Sequence, residues 1–229
     1  MKLVIDIETA ACGFESLAPS QKEYILRYAE REQDEDLKQT KKDDAIRYLS
    51  LYPYTSKVIV IGMRNIKSGK TLVLYEAEEQ EEFIVEEKNT KYLGLTESEM
   101  LNFFWAQAKK TDQVITFNGR NFDIPFLMTR SAINKIKPTR NFLKGNKFSK
   151  KAHIDLLDKL TYYGSVRKFN LDFYCQALGI ESPKGKDITG MEVKELYNAG
   201  KIKDIAVYCS EDLRATSELY SFWNNYLNI

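Results

Sequence analysis

Cysteine, histidine and proline are scarce in this chain, and long apolar runs are missing. Its 229 residues include 3 cysteines, 1 histidine and 5 prolines. Cys12, Cys175 and Cys209 are odd in number, far apart and without a Cys-x-x-Cys pair. That argues against a disulfide framework and against a zinc site, and it fits a reducing compartment. The formal net charge is only +1, so no global basic excess announces a nucleic-acid partner. No apolar stretch approaches the ~20 residues that span a bilayer. The first apolar run, Lys2 to Ile7, is too short for a signal peptide and lacks a cleavage pattern. Repeats and low-complexity linkers are absent. The expectation is a soluble, cytoplasmic protein with no membrane partner.

What is present is a succession of strands followed by helices. Leu3-Val4-Ile5 opens a strand, Lys57 to Met63 carries the buried run Val58-Ile59-Val60-Ile61, and Thr71 to Tyr75 follows a Ser68-Gly69 turn. Thr96-Glu-Ser-Glu99 is a capping-box pattern ahead of Met100, Leu101, Phe103, Phe104 and Trp105. Gln113 to Phe117 reads as another strand, Asn118-Gly119 as a turn, and a helix begins near Phe122. Beyond Leu156 the pattern is mostly helical, with breaks at Gly164, Gly179, Pro183-Lys184-Gly185 and Gly200. Between the first two strands, residues 20–50 mix charges of both signs with apolar residues at helical spacing. Residues 1–229 are therefore expected to form a single α/β domain, with a charged helical insertion at about 15–52.

Three short motifs carry the chemistry. In Asp6-Ile7-Glu8-Thr9 the two acids are two apart on a strand and share a side. In Asn118-Gly119-Arg120-Asn121-Phe122-Asp123 a strand ends, the chain turns and Asp123 opens a helix. In Tyr208-Cys209-Ser210-Glu211-Asp212 the tyrosine and Asp212 are four apart, on one helix face. Each has a plain alternative: an exposed strand end, a helix cap, a surface helix. Carboxylates gathered on one surface repel one another unless a cation sits among them, and hard divalent ions prefer oxygen ligands.

In this order the motifs resemble the DEDD exonuclease superfamily, the DnaQ-like nucleases of the ribonuclease H-like fold. That family has Asp-x-Glu on its first strand, an Asn-x-x-x-Phe/Tyr-Asp motif, and a Tyr- or His-x-x-x-Asp motif. Tyr208 is similar to the tyrosine form, DEDDy, since the sole histidine, His153, lies far before Asp212. The likeness runs from Lys2 to about Tyr220 and is nearest to the exonuclease domain of family-B DNA polymerases. His153-Ile154-Asp155-Leu156 and Leu178-Gly179-Ile180 also look like this branch, whereas the charged stretch at 15–52 departs from it.

The resemblance implies a central mixed five-stranded-type sheet flanked by helices. It implies that Asp6, Glu8, Asp123 and Asp212 hold two divalent cations, Mg²⁺ or Mn²⁺, with Tyr208 orienting the attacking water. The expected activity is 3′–5′ hydrolysis of single-stranded DNA to nucleoside 5′-monophosphates. The alternatives are an exoribonuclease and a non-catalytic nucleic-acid-binding module. Thr9, Asn118, Phe122 and Lys184 are the candidate substrate contacts, with Phe122 equally readable as core and Lys186 beside Lys184. Asp155 is read first as a cap for the following helix, and otherwise as a neighbour of the carboxylates. Residues 135–151 hold seven Lys or Arg and no acid, interleaved with Phe142 and Phe148, a pattern suited to phosphates and unpaired bases or to a solvated loop. The seven glutamates between Glu76 and Glu87 are expected to face away from substrate.

Overall fold

The computed structural model describes residues 1–144, 151–182 and 192–228. Strands β1 (Lys2–Ala11), β2 (Ser56–Asn65), β3 (Thr71–Glu76), β4 (Glu81–Val85), β5 (Thr90–Leu95), β6 (Gln113–Thr116) and β7 (His153–Asp155) form one seven-stranded sheet in the order β4-β5-β3-β2-β1-β6-β7. β1, β2 and β3 are antiparallel neighbours, while β1, β6 and β7 run parallel. The sheet is mixed, as expected, but wider than the five-stranded type. β4 is half glutamate-bearing edge, with Glu81 and Glu82 exposed, and β7 is only three residues long. Neither carries the long apolar run that marks a strand in sequence.

The helices are α1 (Pro19–Leu26), α2 (Glu35–Arg47), α3 (Glu97–Ala108), α4 (Asp123–Ile133), α5 (Leu156–Leu160), α6 (Leu171–Ala177), α7 (Glu192–Asn198) and α8 (Ile202–Tyr226). Alternation along β1 sorts them into two layers. Leu3, Ile5 and Ile7 pack with Met100, Leu101, Phe104 and Trp105 of α3 and with Ile124, Phe126 and Leu127 of α4. Val4 and Ala10 pack on the opposite face with Ile205, Ala206, Cys209 and Leu213 of α8. α3 starts at the expected capping box: the Glu99 carboxylate accepts the Thr96 N–H at 2.9 Å, and Thr96 Oγ1 accepts the Glu99 N–H.

α8 approaches the sheet closely because β2 has a glycine at the crossing. A Cβ on Gly62 would lie 2.6 Å from both Cys209 Sγ and Leu213 Cδ1, so a larger residue would have to displace those side chains. Gly62 is the register partner of Asp6 on β1. The empty position therefore lies directly beside the first acidic motif.

The stretch between β1 and β2 holds α1, α2 and a short 3-10 turn at Tyr48–Leu51. It is fastened at its far end. The Cys12 N–H donates to the Thr55 carbonyl at 2.9 Å, and Thr55 Oγ1 donates to the Leu49 carbonyl at 2.7 Å. Arg130 of α4 grips Glu97 of α3 with two bonds at 2.8 and 2.7 Å and reaches the Pro53 carbonyl at 3.1 Å. Such a bidentate pair in a poorly solvated setting has its charges satisfied, and loss of one partner would strand the other. Among the described residues no helix is long and apolar enough to cross a membrane.

Candidate functional site

Even-numbered positions of β1 face α8, so Asp6 and Glu8 emerge beneath that helix. One carboxylate oxygen from each of Asp6, Glu8 and Asp212 lies within 4.8 Å of the other two. Asp212 reaches them from α8, more than two hundred residues along the chain. Burial, followed by the charges of Glu8, Asp212 and Asp123, holds the Asp6 carboxyl well above its ordinary range. Burial and the charges of Asp212 and Asp123 do the same to Glu8. Asp6 Oδ2 is buried without any hydrogen-bond partner. A buried, unpartnered acceptor among like charges is costly. The cost vanishes if a hard divalent cation takes those oxygens as ligands, so this donor set fits such an ion.

Asp123 enters from the other layer, at the first turn of α4, and is buried. Burial comes first in raising its pKa to about 7, and the charges of Asp155 and Asp212 add to it. Its own N–H and that of Ile7 on β1 pull the other way. Ile7 lies between the two acids of the first motif, so this hydrogen bond ties Asp123 to the strand that carries them. Asp123 is not one of the three tightly grouped ligands, yet its charge is felt at both Asp6 and Glu8.

The approach to Asp123 is built by Asp155. Its carboxylate accepts the N–H groups of Asn118 at 2.9 Å, Arg120 at 2.8 Å and Leu157 at 3.0 Å. It thus caps α5, as the first sequence reading has it, and also cradles the turn that leads into α4. Asn118 takes a left-handed conformation, φ 65°, and accepts the Asn121 side-chain amide at 3.1 Å. Gly119 is required by crowding, since a Cβ there would meet Thr116 at 2.5 Å.

Tyr208 is half-buried on α8, one turn before Asp212. Burial first, then the charges of Asp212, Glu8 and Asp6, push its phenol far above the ordinary tyrosine range, and it hydrogen-bonds to Asp212. The phenol therefore keeps its proton and acts as a donor. Glu211, next to Asp212, turns away and pairs with Lys88 at 2.7 Å and Arg214 at 3.0 Å.

The other sequence candidates divide. Thr9 donates its hydroxyl to the Ser50 carbonyl at 2.7 Å and is nearly buried, so it links β1 to the 3-10 turn. Phe122 is partly buried and packs against the α3–α4 core, with its ring 5.3 Å from that of Phe126. Lys184, Lys186, Lys147, Phe148 and Lys150 lie outside the described residues.

The described part of the basic run lies apart from the carboxylates. Phe142 is fully buried in the α3–α4 core, and Arg140 donates to the Thr111 and Asp112 carbonyls ahead of β6. Asp112 in turn donates its N–H to Met1 at the start of β1. This places the segment at the amino-terminal ends of β1 and β6, opposite the carboxylates. An ungrouped count of lysines and phenylalanines carries no information about which end of a sheet receives them.

Sequence reasoning missed two residues around the site. Cys209 is buried with its thiol against Asp6, and its pKa is raised first by burial and then by the neighbouring acids. Gly62 admits α8. A glycine interrupting the apolar run of β2 was the one visible hint of close approach there.

Residues 56–226 match the family described as a predicted 3′–5′ exonuclease related to the exonuclease domain of PolB. The matched stretch includes Asp123, Tyr208 and Asp212, and β1 with Asp6 and Glu8 precedes it. Among solved structures, the family B DNA polymerase from the hyperthermophilic archaeon Pyrobaculum calidifontis superposes with a TM-score of 0.61 at 16% sequence identity. The superposition covers 97% of this chain and only 24% of that polymerase, so the likeness is one of fold. No curated protein matches the sequence significantly.

Proposed function

The chain belongs to the family of predicted 3′–5′ exonucleases related to the exonuclease domain of PolB, and on that premise we propose that it removes nucleoside 5′-monophosphates from the 3′ end of single-stranded DNA. The observation that carries this reading is the half-buried group of Asp6, Glu8 and Asp212, in which Asp6 Oδ2 has no hydrogen-bond partner among the described residues. Asp6, Glu8, Asp123 and Asp212 would hold two divalent cations, Mg²⁺ or Mn²⁺. When bound, such ions supply an acidified water and stabilise the departing oxygen of an in-line displacement.

The chain's own residues orient and exclude. Water oxygen attacks the terminal phosphorus, the bond from phosphorus to the 3′ oxygen breaks, and the shortened strand leaves with a 3′ hydroxyl. Burial and the neighbouring acids favour the protonated phenol of Tyr208, bonded to Asp212, which suits it to position the attacking water by hydrogen bonding rather than to remove its proton. Asp155 holds the turn at 118–120, which sets where Asp123 begins α4. Cys209 and Leu213, packed over Gly62, keep bulk water from the underside of the carboxylate group.

The test is cleavage of matched 5′-labelled DNA and RNA oligonucleotides with Mn²⁺, Mg²⁺ or EDTA. A ladder shortening from the 3′ end of DNA, dependent on metal and lost in Asp6→Asn, is the expected result. Preferential shortening of RNA would replace the substrate, and binding without cleavage under every metal condition would overturn the enzyme reading.

A further inference from the structure

Five exposed tyrosines collect in one place in this protein. Tyr24, Tyr28, Tyr48, Tyr52 and Tyr54 are 45–72% exposed and line a single groove of about 620 Å³ between α1, α2 and the residues that follow them. A tyrosine usually buries its ring and keeps only its hydroxyl wet, and contiguous exposed apolar surface of this kind marks a binding site. We propose that this groove receives the single-stranded nucleic acid upstream of its 3′ end, with bases stacked on the tyrosine rings and phosphates met by Arg27. The assignment rests on the exonuclease reading for the direction in which the strand lies, and binding in the groove stands apart from cleavage.

Charge selects this occupant. The stretch 15–52 contains nine acids and seven bases, yet none of the acids lines the groove, and Arg27 is its one charged residue. The acids are engaged elsewhere: Glu30 with Lys38 and Lys42, Glu32 with Lys41, Glu15 with Lys22. The arginines lie on rings instead. The Arg27 guanidinium is 3.4 Å from the Tyr24 ring centre and 4.6 Å from that of Tyr28, and Arg47 is 5.9 Å from Tyr48. Rings held with cations beside them, in a groove whose described lining has no carboxylate, form the stacking platform that recognises unpaired bases without reading sequence.

The groove is linked through Tyr48 and Ser50 to the strand that carries the carboxylates. Tyr48 also lines an adjoining cleft of about 650 Å³, together with Ser50, the acids Asp43 and Glu195, and the bases Arg47 and Lys194. The Ser50 carbonyl accepts the Thr9 hydroxyl, and Thr9 follows Glu8 on β1. A strand whose last nucleotide sits at the carboxylates would leave along this path. The described basic residues at 135–144 offer no such path, because they follow α4 to the other end of the sheet.

The experiment compares wild type with Y24A/Y28A/Y52A/Y54A and with the corresponding four-phenylalanine variant. Binding of a labelled single-stranded 15-mer is followed by fluorescence anisotropy in EDTA, and cleavage is then measured with Mn²⁺. Each stacked ring removed should weaken binding roughly tenfold, and the phenylalanine variant should stay near wild type because the ring face is kept. The loss should be large for the 15-mer and small for a trinucleotide. If the alanine variant does not fold, Tyr24→Ala and Tyr54→Ala, the two most exposed, carry the same comparison singly. Unchanged affinity in the alanine variants overturns the proposal, and so does a protein oligomer that they dissolve while oligonucleotide affinity stays the same. If wild type binds through the tyrosines but never cleaves, the groove stands and the exonuclease reading falls. If cleavage requires Asp6 but is indifferent to the tyrosines at every length, the reverse holds.

Discussion

The two ends of the β1–β6 pair are built on opposite electrostatic rules. At the amino-terminal end, charges meet partners: the N-terminal ammonium pairs with Asp112, and Arg140 caps the Thr111 and Asp112 carbonyls over a buried Phe142. At the carboxyl end, Asp6, Glu8 and Asp123 face one another, their pKa values are raised, and Asp6 Oδ2 has no partner. One end lowers the energy of the fold, and the other holds energy that a ligand can release. Unfavourable electrostatics confined to one region of an otherwise satisfied molecule are a mark of a functional site.

Substitutions at the two ends should therefore move stability and activity in opposite directions. Asp6→Asn at the carboxyl end should lower metal-dependent cleavage on the order of 10³-fold or more. The same change should raise the melting temperature of the metal-free protein, because it removes a buried charge facing other acids. A fall in both would break the comparison. At the amino-terminal end, Phe142→Ala should cost about 3–5 kcal/mol of stability in a denaturant titration, with kcat per folded molecule unchanged.

The next effect sharpens the cost of the crowded acids. Asp123 titrates near 7 when folded, against its ordinary value of 3.8. Between those values the folded state holds a proton that the unfolded state has released, so stability falls as pH rises through the window. From this group alone the slope is at most about 1.4 kcal/mol per pH unit. In EDTA, wild type should therefore lose stability between pH 5 and pH 8 relative to Asp123→Asn. Adding Mg²⁺ should raise the melting temperature of wild type more at pH 8 than at pH 5. An identical pH profile for the two proteins would show that Asp123 ionises normally.

The smallest effect is expected for Lys135→Glu with Lys137→Glu. These residues follow α4, whose eleven residues span roughly 16 Å, and that separation exceeds the ~8 Å Debye length at physiological salt. The KM for an oligonucleotide should change less than about twofold, and a large rise would bring the amino-terminal end into the substrate path.

Much of the fold was legible where the pattern is periodic and long. β1, β2, β3, β6, the capped start of α3 and the turn before α4 all stand in the sequence as apolar runs, a capping box and an Asn-Gly turn. β4 and β7 were hidden, one by exposed glutamates on an edge and the other by its three-residue length. At the site, the one-sidedness of Asp6 and Glu8 follows from strand geometry, and that of Tyr208 and Asp212 from the helical turn. The second duty of Asp155, holding the turn as well as capping α5, could not be read from a single cap residue. Tyr24, Tyr28, Tyr48, Tyr52 and Tyr54 are spread over more than one element, and only the fold brings them around one groove.

The sequence by itself determined which side chains share a face of one strand or one helix, because those relations depend only on local periods of two and 3.6 residues. Tertiary structure alone decided that Asp212 comes within 4.8 Å of Asp6, that Asp123 reaches the same place from the opposite layer, and that the described basic run goes to the far end. Those distances depend on how elements cross. Here the missing side chain at position 62 leaves room for Cys209 and Leu213 of α8 against the strand beside Asp6.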